Sequence, residues 1–116
     1  PLWERVQRVD GEPVPPVGGA RQVQLHVQEG AVADLAAALA RDFDCRTFTR
    51  EEYTDRDLFG PGEPSPVAGL PDLICVHRDR AMWDLPGQLD HIGAHGGLHR
   101  EEMLVPFAAA RLADLA

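Results

Sequence analysis

The chain contains no lysine. All eleven of its basic residues are arginines, they stand against nineteen Asp and Glu, and the formal net charge is −8 at pH 7. A chain this acidic repels phosphate backbones and anionic membrane surfaces, so we expect neither nucleic acid nor membrane as a partner. No apolar run approaches the length of a membrane span, and nothing resembles a signal peptide.

Cysteine and serine are also scarce. Cys45 and Cys75 lack CxxC spacing and lie in apolar runs, which predicts two buried, reduced thiols in a cytoplasmic protein. The one serine, Ser65, lies between two prolines, so no Ser-His-Asp arrangement is indicated. The GxGxxG, Walker, GxSxG and HExxH motifs are absent, and with them the sequence signals of four common enzyme classes.

The length of 116 residues is enough for one domain. Residues 1–20 are rich in Pro and Gly and predict an irregular lead-in, with a short extended piece at Arg5–Val9. Residues 21–116 are predicted to form a single α/β domain or subdomain. Because the chain opens at Pro1 with no initiator Met, we expect either that it was processed or that it is a piece cut from a longer protein.

Hydrophobic periodicity predicts an α/β or small α+β fold in the order β-α-β-α-β-β, followed by a loop and a short helix. Alternation from Gln22 to Gln28 is typical of a half-buried strand, and steps of three and four from Ala31 to Phe43 indicate an amphipathic helix. Thr49 and Glu52 form a capping box for a second helix. The remaining predictions are strands at 45–48, 72–77 and 81–84 (a hairpin partner), loops at 60–71 and 85–98, and a helix that opens near His99.

Three of the five histidines fall within nine residues, at positions 91, 95 and 99. Spacing of four would place them on one helical face, but the interspersed glycines favour a loop. His95 is the first candidate metal ligand, because Gly96 and Gly97 let the backbone approach an ion closely. His91, His99 and Asp90 are further candidate ligands. No catalytic residue is identified within the chain.

The closing residues resemble a known family. His95–Leu98 followed by Glu101–Phe107 is similar to the closing motif of the alkaline phosphatase superfamily, in the branch of type I phosphodiesterases and nucleotide pyrophosphatases, with PglZ domains alongside. Upstream, Pro71–Val76 resembles the family's Gly-Asp-Leu strand with Pro in place of Gly, and 49–60 resembles the capped helix before it. The likeness covers most of residues 21–110.

This resemblance implies the C-terminal portion of a mixed sheet in a metal-dependent hydrolase of phosphodiester or pyrophosphate bonds. In that family two metal ions, usually zinc, flank a Thr or Ser nucleophile. His95 would match the last metal-ligating His, and Gly96 and Gly97 would shape its loop. Asp90-His91-Ile92 is not the family's Asp-His-Gly motif, and His99 stands where a Ser or Thr cap is usual. The nucleophile and the other ligands would therefore lie before residue 1.

The parent is thus expected to use zinc or another divalent metal and a phosphate-ester or nucleotide substrate. This chain alone, with one ligand, is expected neither to hydrolyse phosphodiesters nor to hold zinc tightly. Two alternatives stay open: a free-standing small α+β binding or assembly module without catalysis, and a degenerate homologue whose loop binds metal only structurally. A fragment of a larger sheet would also expose a strand edge through which copies could associate.

Overall fold

The computed structural model describes residues 2–61, 69–84, 86–88 and 90–111. They form a small mixed α/β fold with two antiparallel sheets and three α-helices, which confirms the predicted class. After a 3₁₀ turn at Leu2–Arg5, the elements are β1 (Arg8–Val9), β2 (Glu12–Pro13), β3 (Val17–Gly19), β4 (Gln22–Leu25), α1 (Val32–Asp42), β5 (Cys45–Thr49), α2 (Arg50–Asp55), β6 (Leu73–His77) and α3 (Arg100–Met103).

The main sheet has four strands in the order β3-β4-β6-β5, and every neighbouring pair is antiparallel. The late strand β6 is inserted between β4 and β5, where it pairs Cys75 with Val23 and His77 with Cys45. The short strands β1 and β2 form a separate two-stranded sheet. Because β6 is flanked on both sides, it is buried along its whole length.

Each face of the main sheet carries its own hydrophobic cluster. Helix α1 covers one face, where the buried residues are Val23, Leu25, Val27, Leu35, Leu39, Cys45, Leu73 and Cys75. Helix α2 covers the other face, where the buried residues are Phe48, Tyr53, Ile74 and Val76. This division follows from the two-residue period of a strand, which places neighbours such as Ile74 and Cys75 on opposite faces. Both cysteines are free and buried, as expected.

The two longer helices form where local signals predicted them. Helix α1 begins after Gly30, whose φ of +78° suits glycine, and its buried residues recur at three- and four-residue steps. The capping box of α2 is present in full. The Glu52 amide donates to Thr49 Oγ1 at 3.3 Å, and the Thr49 amide donates to Glu52 Oε2 at 2.9 Å. No helix among the described residues has the length and apolar character needed to cross a membrane.

The lead-in is more ordered than its composition suggested. Only Arg8–Val9 of the predicted extended piece is a strand, but Val17–Gly19 joins the main sheet as an edge strand beside β4. Glycine is suited to this edge because Gly18 has a φ of +103° and any Cβ there would overlap the Gln22 carbonyl oxygen. A segment rich in Pro and Gly can therefore form an edge strand, whereas the same composition would disrupt a central strand.

The prediction of a hairpin partner at 81–84 is wrong. The expected turn is present, with Asp79 at a φ of +41° and the Ala81 amide donating to Arg78 O at 2.9 Å. The chain then leaves β6, and the Trp83 amide donates to Ala20 O at 2.9 Å instead of to a ladder partner. Both sides of β6 are already occupied, by β4 and by β5, so no strand that follows it can pair with it as a hairpin partner. Pro1, most of the predicted loop at 60–71 with Ser65, and two positions of the predicted loop at 85–98 lie outside the described residues.

Candidate functional site

The candidate ligands lie in the segment 90–99, here called the histidine loop. Asp90, His91, His95 and His99 are all exposed. Within the part of the chain that the structure describes, no three His, Cys, Asp or Glu residues come together in a group able to hold a metal ion. The loop thus presents the four candidates to solvent separately, and it does not gather them into one site.

His95 precedes a tightly constrained turn. Gly96 has a φ of +94°, a conformation that favours glycine, and Gly97 is buried. A Cβ at Gly97 would overlap the carboxylate of Glu102. The backbone conformation at position 96 therefore favours glycine, and a side chain at position 97 would displace the Glu102 carboxylate.

Glu102 anchors this turn to the main sheet. Its Oε1 accepts from the Gly97 amide at 3.1 Å and from Arg21 Nε at 3.0 Å. Its Oε2 accepts from the His99 amide at 3.3 Å and from Arg21 Nη2 at 2.9 Å. The remaining arm of Arg21 donates to the Ala81 carbonyl. One carboxylate thus joins the histidine loop, α3 and the residue that precedes β4.

The Arg21–Glu102 pair is largely removed from water. Arg21 is 5% exposed and Glu102 is 17% exposed, and the planar guanidinium meets the carboxylate in a bidentate arrangement. The Arg21 hydrogen bonds are the main cause that lowers the pKa of Glu102 to about 2, with help from the Gly97 and His99 amides and against the effect of burial. The same pairing raises the pKa of Arg21. Both groups are therefore charged at neutral pH.

His99 acts as the N-cap of α3. Its Nδ1 accepts from the Glu101 amide at 3.4 Å, and its own amide is bound by Glu102. An imidazole is a weak cap, and Glu102 supplies the stronger interaction. With Nδ1 occupied in this way, only Nε2 of His99 remains to meet another group.

A groove of about 250 Å³ runs beside the histidine loop, and Leu98 and His99 form part of its wall. Its other lining residues are Arg46, Phe48, Val76, His77, Arg78 and Asp79. The Arg46 guanidinium lies 4.7 Å from the centre of the Phe48 ring, within the range of a cation–π interaction. The groove therefore places two arginines next to the loop on a chain that is acidic as a whole.

Sequence reasoning missed Arg21, Glu102, the arginine-lined groove and His77. Arg21 and Glu102 are 81 residues apart, and only the fold brings them together. The sequence predicts His77 as the last residue of a buried strand but does not indicate that, among the described residues, neither ring nitrogen of its buried imidazole has a hydrogen-bond partner. The local signal that was available, a Glu three residues after His99 in a capping-box position, pointed to a helix start and not to an ion pair.

The residues that follow α3 are apolar and exposed. Leu104 is extended, and the fractional exposures are 57% for Met103, 64% for Leu104, 78% for Val105 and 90% for Phe107. Four large apolar side chains within five residues are therefore in contact with water. Comparison of the chain with protein-family models, with curated proteins and with solved structures gives no match in any of the three.

Proposed function

We propose that this chain is the C-terminal part of a metal-dependent hydrolase of phosphodiester or pyrophosphate bonds, to which it contributes His95 as one metal ligand. The observation that carries the proposal is the anchored turn. Glu102 and Arg21 fix the backbone at Gly97 and His99 while His95 stays exposed just before it. A rigid scaffold that ends in an exposed imidazole is suited to complete a metal site.

The described residues do not make a metal site by themselves. They offer no group of three His, Cys, Asp or Glu residues that could hold an ion, and a catalytic zinc needs about three protein ligands. A single exposed imidazole can supply one ligand to a metal site that it shares with other parts of the parent, but it cannot form the site alone. The remaining ligands and the nucleophile would come from the rest of the parent, and no reaction step is assigned to this chain.

The apolar residues after α3 support a place inside a larger protein. Leu104, Val105 and Phe107 are too exposed to contribute to the core of this fold. In the parent, this extended run would pair with a further sheet and lose its contact with water. Burying one such side chain contributes roughly 1.5–3 kcal/mol, so the run can join the two parts firmly.

The groove beside the histidine loop supports a phosphate-ester substrate. Arg46 and Arg78 line it, and guanidinium groups are well suited to phosphate oxygens. These groups would offset the repulsion between an anionic substrate and a chain with net charge −8.

The test is made on the parent protein, expressed from the reading frame that contains this sequence. We expect His95→Ala to lower the turnover of a nitrophenyl phosphodiester by about a hundredfold or more and to reduce the bound metal. His26→Ala is the control, because His26 is a partly exposed histidine outside the histidine loop and is not a candidate ligand, and it should leave both unchanged. Equal activity and metal content in the His95→Ala protein would refute the proposal.

A small α+β binding or assembly module is the second candidate. The observation that favours it is that both faces of the main sheet are already covered, by α1 and by α2. Thermal unfolding of this chain with and without zinc separates the two candidates. A sharp, metal-independent transition together with a parent frame that encodes no nucleophile would favour the module.

A further inference from the structure

A cleft of about 160 Å³ lies on the α1 face of the main sheet, between that face, α1 and the first part of the chain. We call it the His77 cleft. Its lining residues are Val6, Pro16, Val23, Leu25, Leu35, Leu39, Phe43, Cys75, His77 and Trp83. Seven of these ten side chains are hydrocarbon only, so the interior of the cleft is apolar.

His77 is the polar group of this cleft that lacks a partner. It is 5% exposed, and neither Nδ1 nor Nε2 makes a hydrogen bond to any residue that the structure describes. Strand alternation places its side chain on the same face as Cys75, which also lines the cleft. Buried polar groups in proteins are almost always satisfied, and one without a partner is a sign of a ligand or an ion.

We propose that the His77 cleft binds a small neutral aromatic alcohol of the phenol class, with the ring in the apolar interior and the hydroxyl on the imidazole of His77. The size agrees with this choice, since an apolar cavity of about 150 Å³ accommodates a benzene molecule. Phe43 and Trp83 lie in the lining, and both are only partly buried or exposed, so they can receive the flat face of an entering ring.

The choice of a hydroxyl group follows from the hydrogen-bonding capacity of the His77 imidazole. Burial, followed by the positive charge of Arg21, lowers the pKa of His77, whereas the nearby backbone and carboxylate of Asp44 act to raise it. The net shift of the pKa is downward, so the imidazole is neutral at pH 7. A neutral imidazole has one N–H donor and one acceptor nitrogen. A hydroxyl both donates and accepts, so it can satisfy whichever nitrogen faces the cleft. A carbonyl could meet the donor only.

Charge excludes other ligand classes. The nearby guanidinium of Arg21 is already engaged by Glu102 and by the Ala81 carbonyl, so a carboxylate in the cleft would lack a counter-charge. No acidic residue lines the cleft to receive a cation. Water alone is a poor occupant, because a buried water typically makes about three hydrogen bonds and the lining is mostly hydrocarbon.

The inference does not rest on the phosphohydrolase proposal, since no described residue of the histidine loop lines the His77 cleft and His77 is the one residue that the cleft shares with the groove beside that loop. The experiment compares phenol with toluene, which has the same shape but a methyl group in place of the hydroxyl. Each is titrated into the purified chain by calorimetry, and the imidazole ¹⁵N signals of His77 are followed by NMR. We expect saturable binding, with phenol preferred over toluene, and a shift of the His77 nitrogen signals on addition of phenol only.

His77→Leu is the matched variant, because it removes the polar group and keeps an apolar side chain. Phenol affinity should fall about tenfold, as expected for one buried hydrogen bond, and the preference should change to toluene. Replacing the His77 imidazole, which is buried and makes no hydrogen bond to the described residues, is not expected to unfold the chain. If the variant nevertheless fails to fold, the wild-type comparison decides. A wild-type preference for toluene, unmoved His77 signals, or no saturable binding of phenol would each overturn the proposal.

Discussion

The Arg21–Glu102 pair gives the sharpest test of how this fold is held together. Glu102→Gln keeps the size of the side chain but removes the charge that faces Arg21. The guanidinium is 5% exposed and would then lie in the protein without its counter-charge. The Gly97 and His99 amides would also lose part of the interaction that holds the turn. We therefore expect the substitution to lower the free energy of unfolding and to weaken the attachment of the histidine loop.

The magnitude follows from the pKa of Glu102. A fall from the ordinary value of 4.5 to about 2 in the folded state corresponds to about 3 kcal/mol of stability at neutral pH. Removing one partner of a buried ion pair typically costs about 3–5 kcal/mol, which agrees. Because the folded-state pKa is lowered, this contribution is complete above pH 4.5 and is lost as the pH falls toward 2.

The assay is urea unfolding of the wild-type and Glu102→Gln proteins between pH 7 and pH 2.5. We expect a difference in the free energy of unfolding of about 3 kcal/mol at pH 7, which narrows steadily below pH 4.5. Hydrogen exchange of the Gly97 and His99 amides should accelerate in the variant, because both donate to Glu102. Asp42→Asn is the control. Asp42 pairs with Arg41 at the surface, where the side chains are 44% and 71% exposed, and no measurable change is expected. A difference below about 1 kcal/mol at pH 7, or one that does not depend on pH, would refute this assignment.

Two further predictions concern the main sheet. Gly18→Ala should lower the free energy of unfolding by about 1–3 kcal/mol, because Gly18 has a positive φ and a Cβ there overlaps the Gln22 carbonyl. Gly19→Ala, with no atom within 4 Å of the added Cβ, is the control and should be close to neutral in urea unfolding. Burial lowers the pKa of His77, so the unfolded chain binds more protons and stability should fall as the pH drops below 6.5. His77→Leu should flatten that part of the stability profile, and an unchanged slope in the variant would contradict the assignment.

Local signals were sufficient for α1, α2 and the central strands. The apolar steps of α1 and the Thr49–Glu52 capping box lie within a few residues of each other, so the sequence alone carries the information. The strand at β4 was predicted for the same reason, from alternation that leaves Val23 and Leu25 buried. The position of the turn after His77 was also predicted. The strand predicted to return after this turn does not form, because turn residues determine the local reversal of the chain and not the element that follows it.

Pairing between distant residues required the fold. The edge strand at Val17–Gly19 has poor strand propensity, and it forms because β4 offers it an edge close by in the sequence. Arg21 directly follows the lead-in and Glu102 lies in α3, and no hydrophobic periodicity in the sequence relates the two residues. Yet this pair holds Gly97 and His99, the residues that follow His95 in the histidine loop. The histidines were visible in the sequence because they cluster, whereas the pair that anchors their loop was not, because its two members are 81 residues apart.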